Sequence, residues 1–164
     1  MVAQGNGPAR VRRVVNAGAL LDLFAEEADE QPRRTPAYLL AQTNRQLIDL
    51  LGRNLDRAGV ECALTGAAAA SILAPFLTAV PLAHVWVNEL AAPEDLYAGA
   101  QADPAADGAN VIFLQAKADG PLAFREQVQG IWLANRFRIY ADLLDDPRRG
   151  KEQAQKLREE VIGF

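Results

Sequence analysis

The chain has 164 residues, half of them hydrophobic, and a formal net charge of −4 at pH 7. This length and composition suit a folded domain with a sizeable core and argue against global disorder. A single cysteine and a single histidine exclude an internal disulfide and effectively exclude a Cys/His zinc site, and the acidic balance disfavours electrostatic binding of nucleic acid.

The first 15 residues predict a flexible basic arm or linker. They contain three arginines and no acidic residue, and two glycines and a proline disfavour regular structure. Contact with phosphate stays open as an alternative to a solvated tail. The segment lacks the apolar core of a secretory signal, and no charge-free apolar run is long enough to span a membrane. We therefore expect a cytoplasmic protein whose domain spans residues 16–164.

The first two helices are predicted from apolar spacing and from residues suited to their ends. Asn16 can cap a helix over residues 17–29, in which leucines and a phenylalanine share one face. Thr43 or Asn44 can cap a second helix over residues 45–59, since its leucines recur at helical spacing and a glycine follows.

The middle of the chain predicts strands that alternate with helices. A short strand ends at Thr65 and Gly66, and the alanine-rich residues 67–76 predict a helix that packs closely on a sheet. This alternation predicts an α/β or α+β fold, with a mixed sheet of about four to five strands flanked by helices. The other predictions are an ambiguous strand or helix start at 35–42, strands at 83–89, 110–116 and around 128–134, a loop at 103–109, and helices at 92–102, 135–146 and 151–163.

The glycine turn is one place where a ligand could bind. A strand that enters a helix through Thr65 and Gly66 presents backbone N–H groups that can cradle a phosphate, although such junctions are common in proteins without a ligand there. Arg136, Arg138, Arg148 and Arg149 could converge into a further anion or phosphate site, or could simply pair with nearby acids on the surface.

Four stretches of the chain carry a resemblance to a known family. They are "AGVECALTGAAAASILAPF", "HVWVN", "GANVIFLQ" and the ending "RIYADLLDDPRRGKEQAQKLREEVIGF". Together they resemble the nucleotidyltransferase-like domain of AbiEi-type antitoxins, which are transcription regulators in type IV toxin–antitoxin systems. The resemblance covers residues 16–164 and implies a degenerate nucleotidyltransferase-like fold that serves as a non-catalytic regulatory or effector domain.

The resemblance also bears on partners. Members of the family usually carry a winged helix-turn-helix before this domain, and this sequence has no room for one. The chain is then either a fragment or a member that has lost its DNA reader. We expect DNA to be bound only through such a module and therefore weakly by this chain alone. Direct contact with a toxin is not implied, and a homo-oligomer stays open.

The strands lack the acids that nucleotidyl transfer requires. Such a reaction needs metal ions, which paired carboxylates two positions apart on the strand after the glycine helix would hold. That strand carries His84, Trp86 and Asn88 instead, and residues 110–116 supply no acid. We therefore expect no catalytic residue, metal or cofactor. The alternative is a divergent metal-dependent nucleotidyltransferase whose acids come from Glu89, Glu94 or Asp95.

Overall fold

The computed structural model describes residues 2–4, 11–28, 31–74, 80, 82–116 and 120–164. Short 3₁₀ and π-helical segments, Gly120–Leu122 and Arg158–Ile162, accompany the main elements. In chain order, the strands and helices of the described residues are β1 (Val2–Gln4), β2 (Val11–Arg13), α1 (Ala17–Glu27), β3 (Arg33–Tyr38), α2 (Asn44–Arg57), β4 (Cys62–Thr65), α3 (Gly66–Leu73), β5 (Ala83–Val87), α4 (Pro93–Ala100), β6 (Asp103–Pro104), β7 (Val111–Gln115), β8 (Glu126–Val128), β9 (Ile131–Leu133), α5 (Arg136–Leu144) and α6 (Gly150–Leu157).

Within the described ranges, seven strands form one mixed sheet in the order β6-β3-β7-β5-β4-β9-β8. Two neighbouring pairs, β5–β7 and β4–β9, are parallel, and the others are antiparallel. The α+β class with a mixed sheet is confirmed, but the predicted number of strands is wrong. The two-residue β6 lies in a predicted loop, and the single strand predicted around 128–134 is a hairpin. Gln129 and Gly130 both have positive φ, as a two-residue hairpin turn of type I′ requires.

The N-terminal segment contains regular structure that the prediction of a flexible arm did not include. Strands β1 and β2 pair in antiparallel fashion as a two-stranded sheet. Residues 5–10, which connect them, lie outside the described residues. That the segment serves as an arm or linker stays a prediction.

The predicted helix caps are present. The side chain of Asn16 accepts a hydrogen bond from Ala19 N at 2.9 Å, and Thr43 Oγ1 accepts one from Gln46 N at 3.1 Å. Only Leu21 of the apolar residues predicted for one face of α1 is buried. The ambiguous stretch at 35–42 belongs to β3, which is not an edge strand because it lies between β6 and β7.

The junction between β4 and α3 agrees with its prediction. Strand β4 ends at Thr65 and lies between β5 and β9, and α3 begins at Gly66. The alanines 67–70 are buried, and α3 contacts β4 and β5, as a helix packed closely on the sheet should. The helix ends at Leu73 instead of residue 76, and residues 75–79 lie outside the described residues.

The pairing registers bring polar side chains onto one face of the sheet. Thr65 pairs with His84 across β4 and β5, and Trp86 pairs with Leu114 across β5 and β7. Leu114 in turn pairs with Arg34 of β3. Because paired residues lie side by side on a sheet, these five side chains share a face. Helices α3 and α5 both contact β4, and they also contact each other.

Among the described residues, every helix is too short or too polar to cross a lipid bilayer.

Gly66 should be required for its backbone conformation. Its φ is +56°, and an added Cβ would meet nothing closer than His84 Nδ1 at 3.9 Å, so a Cβ at this position would cost backbone strain without a steric clash of its own. We expect Gly66→Val to lower the free energy of unfolding by about 1–3 kcal/mol in urea denaturation. Gly66→Asn should cost less, because asparagine tolerates positive φ better. A valine variant as stable as the parent chain would contradict this explanation.

Candidate functional site

A cavity of about 300 Å³ opens on this face of the sheet, at the beginning of α3. Strands β3, β4, β5 and β7 supply its floor, and α5 with the turn that follows supplies one wall. The residues that meet there are therefore distant in sequence. The side chains that carry charge or hydrogen-bonding groups into the cavity are Arg34, Thr65, His84, Trp86, Arg138, Asp142, Asp145, Asp146 and Arg148.

Asp142 is the most heavily engaged side chain of the cavity. Its Oδ2 accepts hydrogen bonds from Thr65 Oγ1 at 2.5 Å and from Trp86 Nε1 at 2.7 Å, and its Oδ1 accepts one from Arg138 Nε at 2.8 Å. The Arg138 guanidinium also lies over the Trp86 ring, 4.5 Å from its centroid. These contacts join β4, β5 and α5. We call Asp142, Thr65, Trp86 and Arg138 the Asp142 network.

Burial dominates the protonation of Asp142. It raises the pKa of this carboxyl group, while the charge of Arg138 and the hydrogen bonds from Thr65, Trp86 and Arg138 act in the opposite direction. The Arg138–Asp142 pair is itself buried, with side-chain exposures of 6% and 12%. A carboxylate that already accepts three hydrogen bonds has little capacity left for a ligand.

Thr65 takes part in this network instead of capping α3. It occupies the N-cap position, yet no side chain caps the helix. Its hydroxyl group donates to Asp142. The first N–H groups of α3 are therefore not satisfied by the cap residue that precedes them, and Gly66 and Ala67 of this helix end line the cavity.

His84 lies on β5 beside the network and is half-buried. Burial lowers the pKa of its imidazole, and the charges of Arg34 and Arg148 lower it further, while Asp146 opposes them. The ring is therefore neutral at neutral pH and carries one hydrogen-bond donor and one acceptor.

Arg34 and Arg148 bring two guanidinium groups to the cavity from separate elements. Arg34 is on β3, and Arg148 is in the turn between α5 and α6. Neither guanidinium makes an ion pair with any residue in the described part of the chain. Asp146 lines the same cavity, and its Oδ1 accepts a hydrogen bond from the backbone N–H of Arg148 at 2.9 Å.

The strands bring no carboxylate to the cavity. Strand β5 contributes His84 and Trp86, and β7 contributes Leu114. The acids that line the cavity come from the end of α5 and the turn after it. Across the described ranges, no group of three or more histidine, cysteine, aspartate and glutamate side chains is arranged to hold a metal ion.

A family model decides which proteins this chain resembles. The model, described as transcriptional regulator, AbiEi antitoxin, type IV toxin–antitoxin system, matches residues 13–163. The chain belongs to this family. The resemblance stated from the sequence is confirmed. In the same comparisons, no curated protein sequence and no solved structure matches the chain.

The AbiEi-family chain brings together four of the six residues predicted to bind a ligand. Thr65, Gly66, Arg138 and Arg148 all line the cavity, although Arg138 is paired with Asp142 there. The prediction did not include Arg34 or assign a ligand role to His84. No local signal identifies Arg34, because it reaches the cavity only through the pairing of β3 with β7. The role of His84 could have been suspected from the sequence, because it lies two positions before Trp86 and therefore on the same face of β5.

The other two predicted ligand residues are paired elsewhere. Arg136 forms an ion pair with Glu126 at 3.4 Å and donates to the carbonyl oxygen of Val161. Arg149 forms a bidentate pair with Glu152, with a shortest distance of 2.8 Å. Neither arginine lines the cavity, so they do not converge with Arg148.

The Asp142 network should contribute strongly to stability. Asp142→Ala removes the carboxylate that the buried Arg138 faces, and breaking a buried ion pair on one side typically costs about 3 kcal/mol or more. We expect a loss of this size in urea denaturation. Asp145→Ala is the matched control, because Asp145 is exposed and adjacent to the same cavity. Equal losses in the two variants would contradict a special role for Asp142.

His84 should titrate below its ordinary pKa of 6.5. It is the only histidine, so its NMR signal is unambiguous. Because the unfolded chain binds this proton more readily than the folded chain, stability should be lost as pH falls below about 6.5. His84→Gln should flatten this dependence, and Arg34→Gln should raise the midpoint by removing a repelling charge. A midpoint at or above 6.5 would refute this assignment.

Proposed function

We propose that this chain is a non-catalytic regulatory domain of an AbiEi-type antitoxin and works in the cytoplasm as the effector or oligomerisation part of a transcriptional regulator. Family membership supports the regulatory role. The composition of the cavity carries the non-catalytic part of the proposal. Its strands present His84, Trp86 and Leu114 where a nucleotidyltransferase needs acids, and its buried carboxylate, Asp142, is occupied by three donors.

The chemistry of phosphoryl-type transfer supports this choice. The reaction depends on metal ions that bridge phosphate oxygens, and Mg²⁺ is held by carboxylates that are fixed on rigid elements. Asp145 and Asp146 lie at the end of α5 and in the turn beyond it, and Asp146 already accepts a hydrogen bond within that turn. Such a pair lacks the rigid strand positions that would organise an attacking oxygen.

The alternative, a divergent metal-dependent nucleotidyltransferase, has less support. Glu89, Glu94 and Asp95 are exposed, and none of them lines the cavity. An enzyme would therefore have to use Asp145 and Asp146. The unit of β4, glycine turn, α3 and β5, with β5 parallel to β7, supports the narrower proposal that the fold is a degenerate nucleotidyltransferase-like one.

The proposed role also specifies partners. We propose that DNA is contacted through a winged helix-turn-helix module that this sequence does not contain. The net charge of −4 supports weak binding of DNA by this chain itself. Regulation in this form needs no direct contact with a toxin, and a homo-oligomer would bring two such domains to one operator.

The chain should show no nucleotidyl transfer. We would incubate it with labelled nucleoside triphosphates, Mg²⁺ or Mn²⁺, and tRNA or protein acceptors, after a cooperative melt has established that it is folded. No label should reach any acceptor, because no fixed carboxylate pair holds the metal. Transfer that disappears in Asp146→Asn or Glu89→Ala, but persists in the control Asp107→Asn, would establish the enzyme instead.

A further inference from the structure

We infer that the cavity binds a phosphorylated sugar or a polyol phosphate of similar size, without a metal ion. The phosphate group lies between Arg34 and Arg148, and hydroxyl groups of the ligand donate to Asp145 and Asp146. This inference rests on the proposed non-catalytic function, because it makes the cavity the place where the regulator senses a small molecule.

The two guanidinium groups favour a phosphate. Arg34 and Arg148 reach one cavity from β3 and from the turn after α5, and neither has an ion-pair partner among the described residues. By contrast, Arg149, the next residue in the chain, is fully paired with Glu152. Planar guanidinium forks match the spacing of phosphate oxygens and form short, charge-assisted hydrogen bonds with them.

The acids of the cavity favour a ligand that also carries donors. Arg138 and Asp142 neutralise each other within the Asp142 network. The remaining charges that line the cavity are Arg34 and Arg148 against Asp145 and Asp146, so their formal charges cancel. A bare anion would be attracted by the two arginines but repelled by the two carboxylates. A sugar phosphate satisfies both, since its hydroxyl groups donate to the carboxylate oxygens.

Size and shape separate a sugar phosphate from a nucleotide. A volume of about 300 Å³ is at the lower end of the range for small-molecule sites. Trp86 is 2% exposed, and Arg138 already covers one face of its ring. The ring therefore does not offer a stacking surface for a base. Leu82 and Leu114 give the cavity a small apolar surface that suits the carbon skeleton of a sugar.

The test measures binding by the full chain in the presence of EDTA. The probes for isothermal titration calorimetry are ribose 5-phosphate, ribose, inorganic phosphate and AMP. We expect ribose 5-phosphate to bind more tightly than the other three. Arg34→Gln and Arg148→Gln should each weaken its binding by about tenfold or more, the effect of losing a charge-assisted hydrogen bond. Arg149→Gln, the matched control, should leave binding unchanged.

His84 provides a second readout at the site itself. The groups that face it are Arg34 from β3 and Asp146 and Arg148 from the turn after α5. A bound phosphate offsets the two arginine charges, so ribose 5-phosphate should raise the NMR titration midpoint of His84. The same addition should leave the His84 midpoint of the Arg34→Gln, Arg148→Gln double variant almost unchanged.

Several results would overturn the inference. They are no binding of ribose 5-phosphate by folded protein, binding that is indifferent to Arg34 and Arg148, and binding that requires Mg²⁺. Tighter binding of AMP would overturn the assignment of a sugar phosphate. Binding accompanied by label transfer would support the site and refute the non-catalytic function. An absence of both binding and transfer would refute the site alone.

Discussion

The contact between Asp142 and its three donors is the interaction on which the rest of the site depends. The carboxylate of Asp142 on α5 accepts hydrogen bonds from Thr65 of β4 and Trp86 of β5. It also forms an ion pair with Arg138 of its own helix. It therefore sets the position of α5 against the sheet and closes one side of the cavity. Removing a charged group from water is costly unless it is fully paired, so the network is stable only as a complete set. Its members have little freedom to take up other roles.

This constraint also decides what the cavity offers to a ligand. Thr65 donates to Asp142 and makes no capping hydrogen bond to α3, so the positive end of that helix faces the cavity without a side-chain cap. Because Arg138 pairs with Asp142, the guanidinium groups that remain for a ligand are those of Arg34 and Arg148. The buried charges of Arg138 and Asp142 thus pair within the network. The charges left to line the cavity are two arginines and two aspartates. This arrangement is the basis of the proposed recognition of a polar molecule.

Much of the fold could be predicted because its signals are local. Asn16 and Thr43 cap helices through hydrogen bonds within one turn, and Gly66 adopts positive φ where a strand enters a helix. The strands that the sequence did not predict also have local causes. A two-residue strand such as β6 has no periodicity to detect, and the tight turn at Gln129 and Gly130 hides a hairpin inside an apparently continuous strand. Pairing of the N-terminal strands was obscured by the glycines and proline between them.

The family, the α+β class, the glycine turn and the lack of acids on β5 could all be recognised from the sequence by itself, since each follows from the pattern of residue types along the chain. Only the tertiary structure decided which side chains meet. Asp142 reaches Thr65 and Trp86 across 77 and 56 residues, and Arg34 reaches the cavity through strand pairing. Two of the predicted arginines, Arg136 and Arg149, instead form ion pairs with glutamates outside the cavity. Strand register and helix packing set these distances, and neither is encoded in the local pattern of a single segment.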